Sequence, residues 1–340
     1  MNYLRNHWYV AGLDEELQPG HLLPRTYLGE NVVLFRASDG TPRALEDRCP
    51  HRFAPLSAGK LQGDAIQCGY HGLTFNGGGT CVHNPHGPIP KAAAVKAYPV
   101  KERHRLLWIW TGEPAKADET LIPDYSAVAA APEHAYFRGY LPTACDTLLL
   151  VDNILDLSHV DYLHPTTLGS GAISRVKATI EDLSERSVKI SWISSGDIAP
   201  PAFDMYLREQ RQPTDQWTEV TWTAPSNMLL SVGATLQGEP RADGVVTLNL
   251  HLGTPERPGH THYWYWVTRA FAISPEANAA MQPMIEHVFR HEDKPMLEAQ
   301  QRRIGDQDFW ALKPVLMAPD AGAVRARRKL AALIQAEAAR

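Results

Sequence analysis

Cys49-Pro50-His51-Arg52 and Cys68-Gly69-Tyr70-His71 carry a metal-ligand pattern from which the fold of this chain follows. They spell C-x-H, sixteen residues, then C-x-x-H, so each arm brings one thiolate and one imidazole. Thiolates favour soft metals and iron–sulfur clusters, whereas imidazole suits iron, zinc and copper. Zinc fingers usually pair Cys with Cys and His with His along the chain. Here the types alternate. A [2Fe–2S] centre with one iron on two Cys and the other on two His needs two arms of this mixed kind. The pattern favours that cluster over a structural zinc. Cys81, His83 and His86 follow closely. With four ligands already in hand, they read as surface hairpin residues.

The sequence around the arms is β-prone. Residues 8–10, 31–35, 43–46, 65–67 and 105–110 are short β-prone runs, punctuated by Pro19-Gly20, Asp39-Gly40 and Gly77-Gly78-Gly79. The arms follow two such runs, which places their ligands on loops at strand ends. Residues 113–118 read as a linker. With 340 residues the chain is expected to hold two domains, an antiparallel β domain over 1–118 and a second domain over 119–340.

Composition is that of a globular protein, 44% hydrophobic and 21% charged, and the formal net charge of −5 argues against a nucleic-acid partner. No apolar run approaches the 18 or so residues of a membrane span. The start of the chain has no signal-peptide pattern, and the four Cys are too few for a disulfide framework. A cytoplasmic protein is expected.

A second constellation opens the second domain. Residues 147–163 read as one buried helix, apolar on most sides through Leu148, Leu149, Leu150, Val151, Ile154, Leu155 and Leu157. Through it runs a polar stripe: Asp152, Asp156 and His159 at i, i+4 and i+7 share a face. Buried carboxylates are costly unless paired or bound to metal, so the stripe signals function. His164 lies five residues after His159, a rotation of roughly 140° in an ideal helix. Both rings reach one metal only if the helix loosens there, and Pro165 disfavours helical backbone at His164.

Residues 175–270 alternate or run apolar over five segments rich in Trp and Tyr, as in a curved antiparallel wall. Ser274-Pro275 then caps a last long helix running to Leu297, bent at Pro283 and Pro295. Asp293 shares a face with Phe289 and Leu297, four residues either side, and is the candidate third metal ligand. Glu286, Glu292 and Glu298 are expected to face solvent. Two His and one carboxylate on one face of iron form the triad of non-haem Fe(II) oxygenases. A one-electron cluster beside such an iron makes chemical sense, because O2 activation needs electrons from outside.

These motifs resemble the Rieske non-haem iron oxygenase α-subunits. The closest resemblance is to the group of dicamba and vanillate O-demethylases and toluenesulfonate methyl monooxygenase. The segments Cys49-Pro50-His51-Arg52-Phe53-Ala54-Pro55, His83-Asn84-Pro85-His86-Gly87 and His164-Pro165-Thr166-Thr167-Leu168-Gly169 carry that resemblance, together with the helix from Asn153 to His164. It implies an α+β chain: an antiparallel β Rieske domain, then a helix-grip domain in which a curved antiparallel sheet wraps a long helix. It implies Cys49, His51, Cys68 and His71 as ligands of a Rieske [2Fe–2S] cluster. His159, His164 and Asp293 become ligands of a mononuclear Fe(II), with Asn153 beside them. Asp156 matches the acid that links His71 of one subunit to His159 of the next in a head-to-tail homotrimer.

The resemblance further implies hydroxylation by O2 of a methyl group on an aromatic acid. On a methoxybenzoate the product collapses to a phenol and formaldehyde. His251 matches a pocket His that binds the substrate carboxylate. Leu230 stands where a related enzyme has an Asn for the same task, and Ile154 and Leu155 are expected at the pocket wall. Asn227, Thr235 and Arg269 are further candidates for binding an acid. No GxGxxG fingerprint is present, so electrons are expected from a separate NADH-dependent reductase with flavin and a ferredoxin-type cluster. The competing readings are an aryl C-methyl hydroxylase, another Rieske hydroxylase, and a Rieske electron-transfer protein lacking the second iron.

Overall fold

The computed structural model describes residues 3–169 and 171–339. It divides into two compact units, the first holding Tyr3–Asp124 with Thr254–Arg257, the second Tyr125–Gly253 with the residues from Pro258 on.

The first unit is all β. Its strands are β1 (Trp8–Leu13), β2 (Leu23–Tyr27), β3 (Glu30–Arg36), β4 (Pro42–Glu46), β5 (Lys60–Gln62), β6 (Ala65–Gln67), β7 (Thr74–Asn76), β8 (Cys81–His83), β9 (Ala97–Tyr98), β10 (Val100–Arg103) and β11 (Leu106–Trp110). They form three antiparallel sheets ordered β1-β11-β10, β2-β3-β4-β9 and β5-β6-β7-β8. Every residue of β1 and β11 is buried, which is why both read as unbroken apolar runs. Trp8 and Trp110 face each other across that ladder, rings 5.5 Å apart and edge-on. The glycine tract is a tight turn between β7 and β8. Gly79 sits at φ +80°, and a Cβ there would fall 2.1 Å from the Val95 carbonyl oxygen, so only glycine fits.

The second unit begins with α1 (Ser126–Ala129), β12 (Tyr136–Thr143), α2 (Thr147–Leu155) and α3 (Val160–Leu163). Six further strands follow: β13 (Thr179–Ser184), β14 (Ser187–Ile198), β15 (Pro213–Thr223), β16 (Asn227–Leu236), β17 (Val245–Arg257) and β18 (His260–Arg269), with α4 (Pro201–Asp204) between β14 and β15. The seven strands make one antiparallel sheet ordered β12-β18-β17-β16-β15-β14-β13. Three helices close the chain: α5 (Pro275–His287), α6 (Lys294–Ile304) and α7 (Ala321–Ala338). α2 packs on β15 and α7, and α5 and α6 pack on β12. The chain is thus α+β, with the helix-grip arrangement in its second unit.

Two helices depart from expectation where chemistry is placed. The expected single helix over 147–163 breaks after Leu155. Asp156 leaves the helical region at φ −125°, ψ 88°, and its carboxylate caps a 3-10 turn, Leu157–His159, by accepting from the Ser158 N–H at 3.0 Å. Asp152, Asp156 and His159 therefore do not share one face. Asp152 instead pairs with Arg327 of α7, at 2.6 Å.

The last long helix starts as expected, with the Ser274 hydroxyl accepting from Ala277 N–H and Pro275 in the first turn. Pro283 lies inside α5 without ending it. The irregularity is a π turn, Val288–Asp293, between α5 and α6. Pro295 accounts for its place. Its ring cannot donate to the His291 carbonyl and would clash with it, so the backbone widens just before α6.

Candidate metal centres and cavity

The two cysteine arms are built alike. Cys49 N–H donates to Ala54 O at 2.8 Å, and Phe53 N–H returns to Cys49 O at 2.9 Å. Cys68 N–H donates to Leu73 O at 2.8 Å, and Gly72 N–H returns to Cys68 O at 3.0 Å. The fifth residue of each arm takes a positive φ, 60° at Phe53 and 78° at Gly72. Both cysteines are buried among Val33, Leu45, Leu56, Ile66 and Phe75, whereas His51 is exposed and His71 half-buried. The two imidazoles are 4.5 Å apart. Burial, with Cys68 alongside, pushes the Cys49 thiol above its ordinary range, so thiolate there calls for a bound metal. Two buried sulfurs together and two imidazoles together are the donor set of a two-Cys, two-His cluster.

Of the three extra candidates, His83 and His86 are exposed, as expected. His86 Nε2 lies 3.1 Å from the His71 carbonyl oxygen. Cys81 is not a surface residue. It is buried in the core, because the Gly79 turn swings it inward.

The second candidate centre joins α2, the 3-10 turn, α3 and the π turn. His159, His164 and Asp293 bring their ligand atoms within 4.8 Å of one another. The break at Asp156 and the non-helical His164 (φ −122°, ψ 43°) resolve the five-residue mismatch. Nε2 of both rings faces Asp293 Oδ1, at 3.5 Å from His159 and 3.2 Å from His164. Each Nδ1 has its own acceptor, the main-chain oxygen of Asp156 at 2.7 Å for His159 and Glu292 Oε2 at 2.5 Å for His164. Each Nδ1 thus has its own partner and Nε2 of both rings is the atom turned inward, the orientation a metal ligand requires. Burial favours the neutral Asp293, but bonds from His159 and then His164 outweigh it and hold the carboxyl well below the usual range. Asn153 Nδ2 donates to the same Oδ1 at 3.2 Å. The carboxylate of Asp156 was expected on the His159 ring; its backbone carbonyl is there instead, because the carboxylate is used as a cap.

The triad opens into a cavity lined mostly by apolar side chains, among them Phe137, Leu157, Leu168, Trp217, Val232 and Met284. Residues 143–336 match the family model of the vanillate O-demethylase oxygenase C-terminal domain, and residues 7–99 match that of the Rieske [2Fe–2S] domain. The chain belongs to the Rieske non-haem iron monooxygenases. It is 36% identical to the oxygenase component of dicamba O-demethylase from Stenotrophomonas maltophilia over 100% of both chains. It is 37% identical to the oxygenase component of chloroacetanilide N-alkylformylase from Rhizorhabdus wittichii, over 98% of this chain and 97% of that protein. The crystal structure of dicamba monooxygenase bound to 3,6-dichlorosalicylic acid superposes with a TM-score of 0.92 at 36% identity, covering 100% of each chain.

As a member of this family the monooxygenase uses a Rieske [2Fe–2S] cluster, a non-haem iron and O2. Of the residues expected at its substrate pocket, Ile154, Leu230 and His251 line the cavity. Leu155 does not. It is fully buried at the end of α2, and after the break at Asp156 Leu157 lines the wall. Asn227 and Thr235 are buried strand residues bonded to the Ala224 and Pro240 carbonyls and do not reach the cavity. Arg269 does line it. Its guanidinium is held by the His134 and Ala272 carbonyls and Asn278 Oδ1.

Sequence reasoning missed Glu292, which is half-buried against His164 rather than facing solvent; Glu298 likewise turns inward and accepts from Ala144 N–H at 3.0 Å. It also missed Asn249 and Tyr263. Asn249 stands directly opposite Leu230 in the β16–β17 ladder. The spacing of Asn249 and His251, two residues apart on one strand, was the available signal.

Proposed function

We propose that this monooxygenase removes the methyl group of an aromatic methyl ether bearing an acidic group, a methoxybenzoate. Cys49, His51, Cys68 and His71 would hold the cluster, and His159, His164 and Asp293 the iron. The bound iron would supply O2 activation, with electrons that would enter through the cluster from a separate NADH-dependent reductase with flavin and a ferredoxin-type centre. One oxygen atom is inserted into a methyl C–H bond and the other leaves as water, with two electrons and two protons consumed. The resulting hemiacetal breaks its methyl carbon–oxygen bond, giving the phenol and formaldehyde.

The protein's share is placement. The observation that carries the reading is the inward-facing triad at the end of an apolar cavity whose wall holds Arg269, while among the described residues the one carboxylate lining it is Asp293, the candidate ligand. A flat, apolar, negatively charged ring suits such a site. An electron carrier would have no use for the triad. Asp156, at the helix break beside His159, would connect with a neighbouring copy's cluster in a cytoplasmic homotrimer. N-dealkylation is the second reading, favoured by the 37% identity to the N-alkylformylase component.

The test combines two measurements. Iron and acid-labile sulfide should reach about three and two per chain, the sum of a [2Fe–2S] cluster and one further iron. Methoxybenzoates supplied with NADH and a surrogate reductase should release formaldehyde. Full iron loading with no formaldehyde from any methoxybenzoate, but aldehyde from N-alkyl anilides, would replace this reading with the second.

A further inference from the structure

Glu292 faces two ways. Its Oε2 lies 2.5 Å from Nδ1 of His164, and its Oε1 faces the surface, 3.8 Å from Nε2 of His287. His287 ends α5 with its side chain 62% exposed, against 23% for Glu292. Four residues on, His291 stands exposed in the π turn, its ring 4.9 Å from that of His287. Neither His287 nor His291 belongs to the triad or lines the cavity.

Two histidines four residues apart are a recurring pair of metal ligands, because that step returns both imidazoles to one face of a helix. A merely solvated pair would have no use for a carboxylate beside it. The 3.8 Å between Glu292 Oε1 and His287 Nε2 is too long for a hydrogen bond. A bound cation spans it: zinc takes bonds of about 2.0–2.1 Å to nitrogen and about 2.0–2.2 Å to oxygen. The His291 ring, free to turn in solvent, is the third donor, and water completes the shell. Two imidazoles and one carboxylate oxygen suit zinc, copper or nickel, whereas magnesium and calcium take oxygen ligands. Of the flanking charges, Glu286 and Arg290 are opposite in sign, which leaves the Glu292 carboxylate to attract the cation.

We propose that His287, His291 and Oε1 of Glu292 form an outer site for a divalent transition-metal ion of the zinc class, coupled to the iron centre through the shared carboxylate. A cation on Oε1 draws electron density from the carboxylate whose Oε2 backs His164. It thereby weakens the support that this carboxylate gives a ligand histidine. Such coupling is reciprocal: zinc lowers iron affinity by the same factor that iron lowers zinc affinity. Abundant zinc therefore loosens the iron without entering the triad.

The test uses the iron-loaded, cluster-containing protein under anaerobic conditions, with Zn2+ alone as the probe. Calorimetry should show a Zn2+ bound to each chain beside its full iron. His287→Ala and His291→Ala should each weaken that binding by at least about tenfold, since even an outer partner of a metal site is worth that much. Both side chains are exposed, so iron content without zinc should stay as it is in the unaltered protein. Competition with an Fe(II)-selective chromogenic chelator gives the second readout. Zinc should lower iron affinity at least about fivefold, and the variant carrying both substitutions should not respond. Zinc displacing iron directly from the triad would act alike on both proteins, so the difference between them isolates the outer site. No zinc binding, or binding undiminished in the double variant, would overturn the site. Zinc bound at the pair with iron affinity unchanged would overturn the coupling. Neither outcome depends on the substrate, so the demethylase reading stands or falls separately.

Discussion

Nδ1 of His164 lies 2.5 Å from Oε2 of Glu292, the residue immediately before the triad's own carboxylate. A carboxylate behind a ligand His fixes the ring's tautomer and raises its basicity. Nothing comparable backs His159, whose Nδ1–H goes to a main-chain oxygen. Glu292→Ala should weaken iron retention by about 10- to 100-fold. Glu292→Gln should do no better, since its amide can donate to Nδ1 and force the proton onto Nε2, where the metal should be. Iron content after dialysis against a graded chelator checks this. Sulfide content should stay constant, and unchanged iron in both variants would remove Glu292 from the site.

The Asp152–Arg327 pair anchors the helix that carries Asn153. Arg327 is buried, bonds both carboxylate oxygens of Asp152 at 2.6–3.0 Å, and stacks 4.2 Å from the Phe309 ring. Removing one partner of a buried pair leaves the other charge uncompensated. Arg327→Met should therefore lower unfolding stability by about 3–5 kcal/mol. Arg327→Met with Asp152→Leu should recover most of that loss. Denaturant titration of the three proteins decides it, and equal stabilities of the single and double variants would contradict the account.

What could be read from the sequence follows from how local each feature is. The cluster arms were legible because all four candidate ligands and their turns lie in one short stretch, with strands on either side. His159 and His164 were legible as a mismatch needing a helix break, and Pro165 marked where. Asp293 emerged only from its apolar neighbours at i±4. Glu292 was hidden, because adjacent residues on an α-helix point roughly 100° apart and one of them should face water. The π turn changes that, and no single residue announces it. Tyr263 and Asn249 were hidden for another reason: their roles depend on strand register, which decides that Asn249 meets Leu230 and which side chain the Tyr263 hydroxyl reaches.

His251 should leave a mark on acid stability. Burial, opposed only by the charge of Asp293, lowers it to about 4 from an ordinary 6.5. Between those values the unfolded chain binds a proton that the folded chain does not, so stability rises with pH across this window. It is fully present above about 6.5. As pH falls toward 4 it declines, by something on the order of 3 kcal/mol at one pKa unit per 1.36 kcal/mol. His251→Gln removes the titration while keeping a polar side chain. Unfolding midpoints measured from pH 7.5 down to 4 should fall less steeply in the variant. Parallel slopes would mean that His251 is not held neutral by the fold.

The shared turn of the two cluster arms makes the last prediction asymmetric. Each closes at a residue with positive φ, Phe53 in one arm and Gly72 in the other. An L side chain tolerates that backbone at some cost, and a β-branched one is a strong outlier. Gly72 is further constrained because a Cβ there would meet the Pro85 ring at 3.0 Å. Phe53 is exposed, its ring leaning toward the Arg48 guanidinium at 5.8 Å, and glycine would relax its backbone. Gly72→Val should strain the second arm by about 1–3 kcal/mol and displace His71, lowering acid-labile sulfide per chain, whereas Phe53→Gly should keep a full cluster. Sulfide and the visible absorbance of the purified variants test both. Equal cluster content in the two would show that the arms do not depend on this turn.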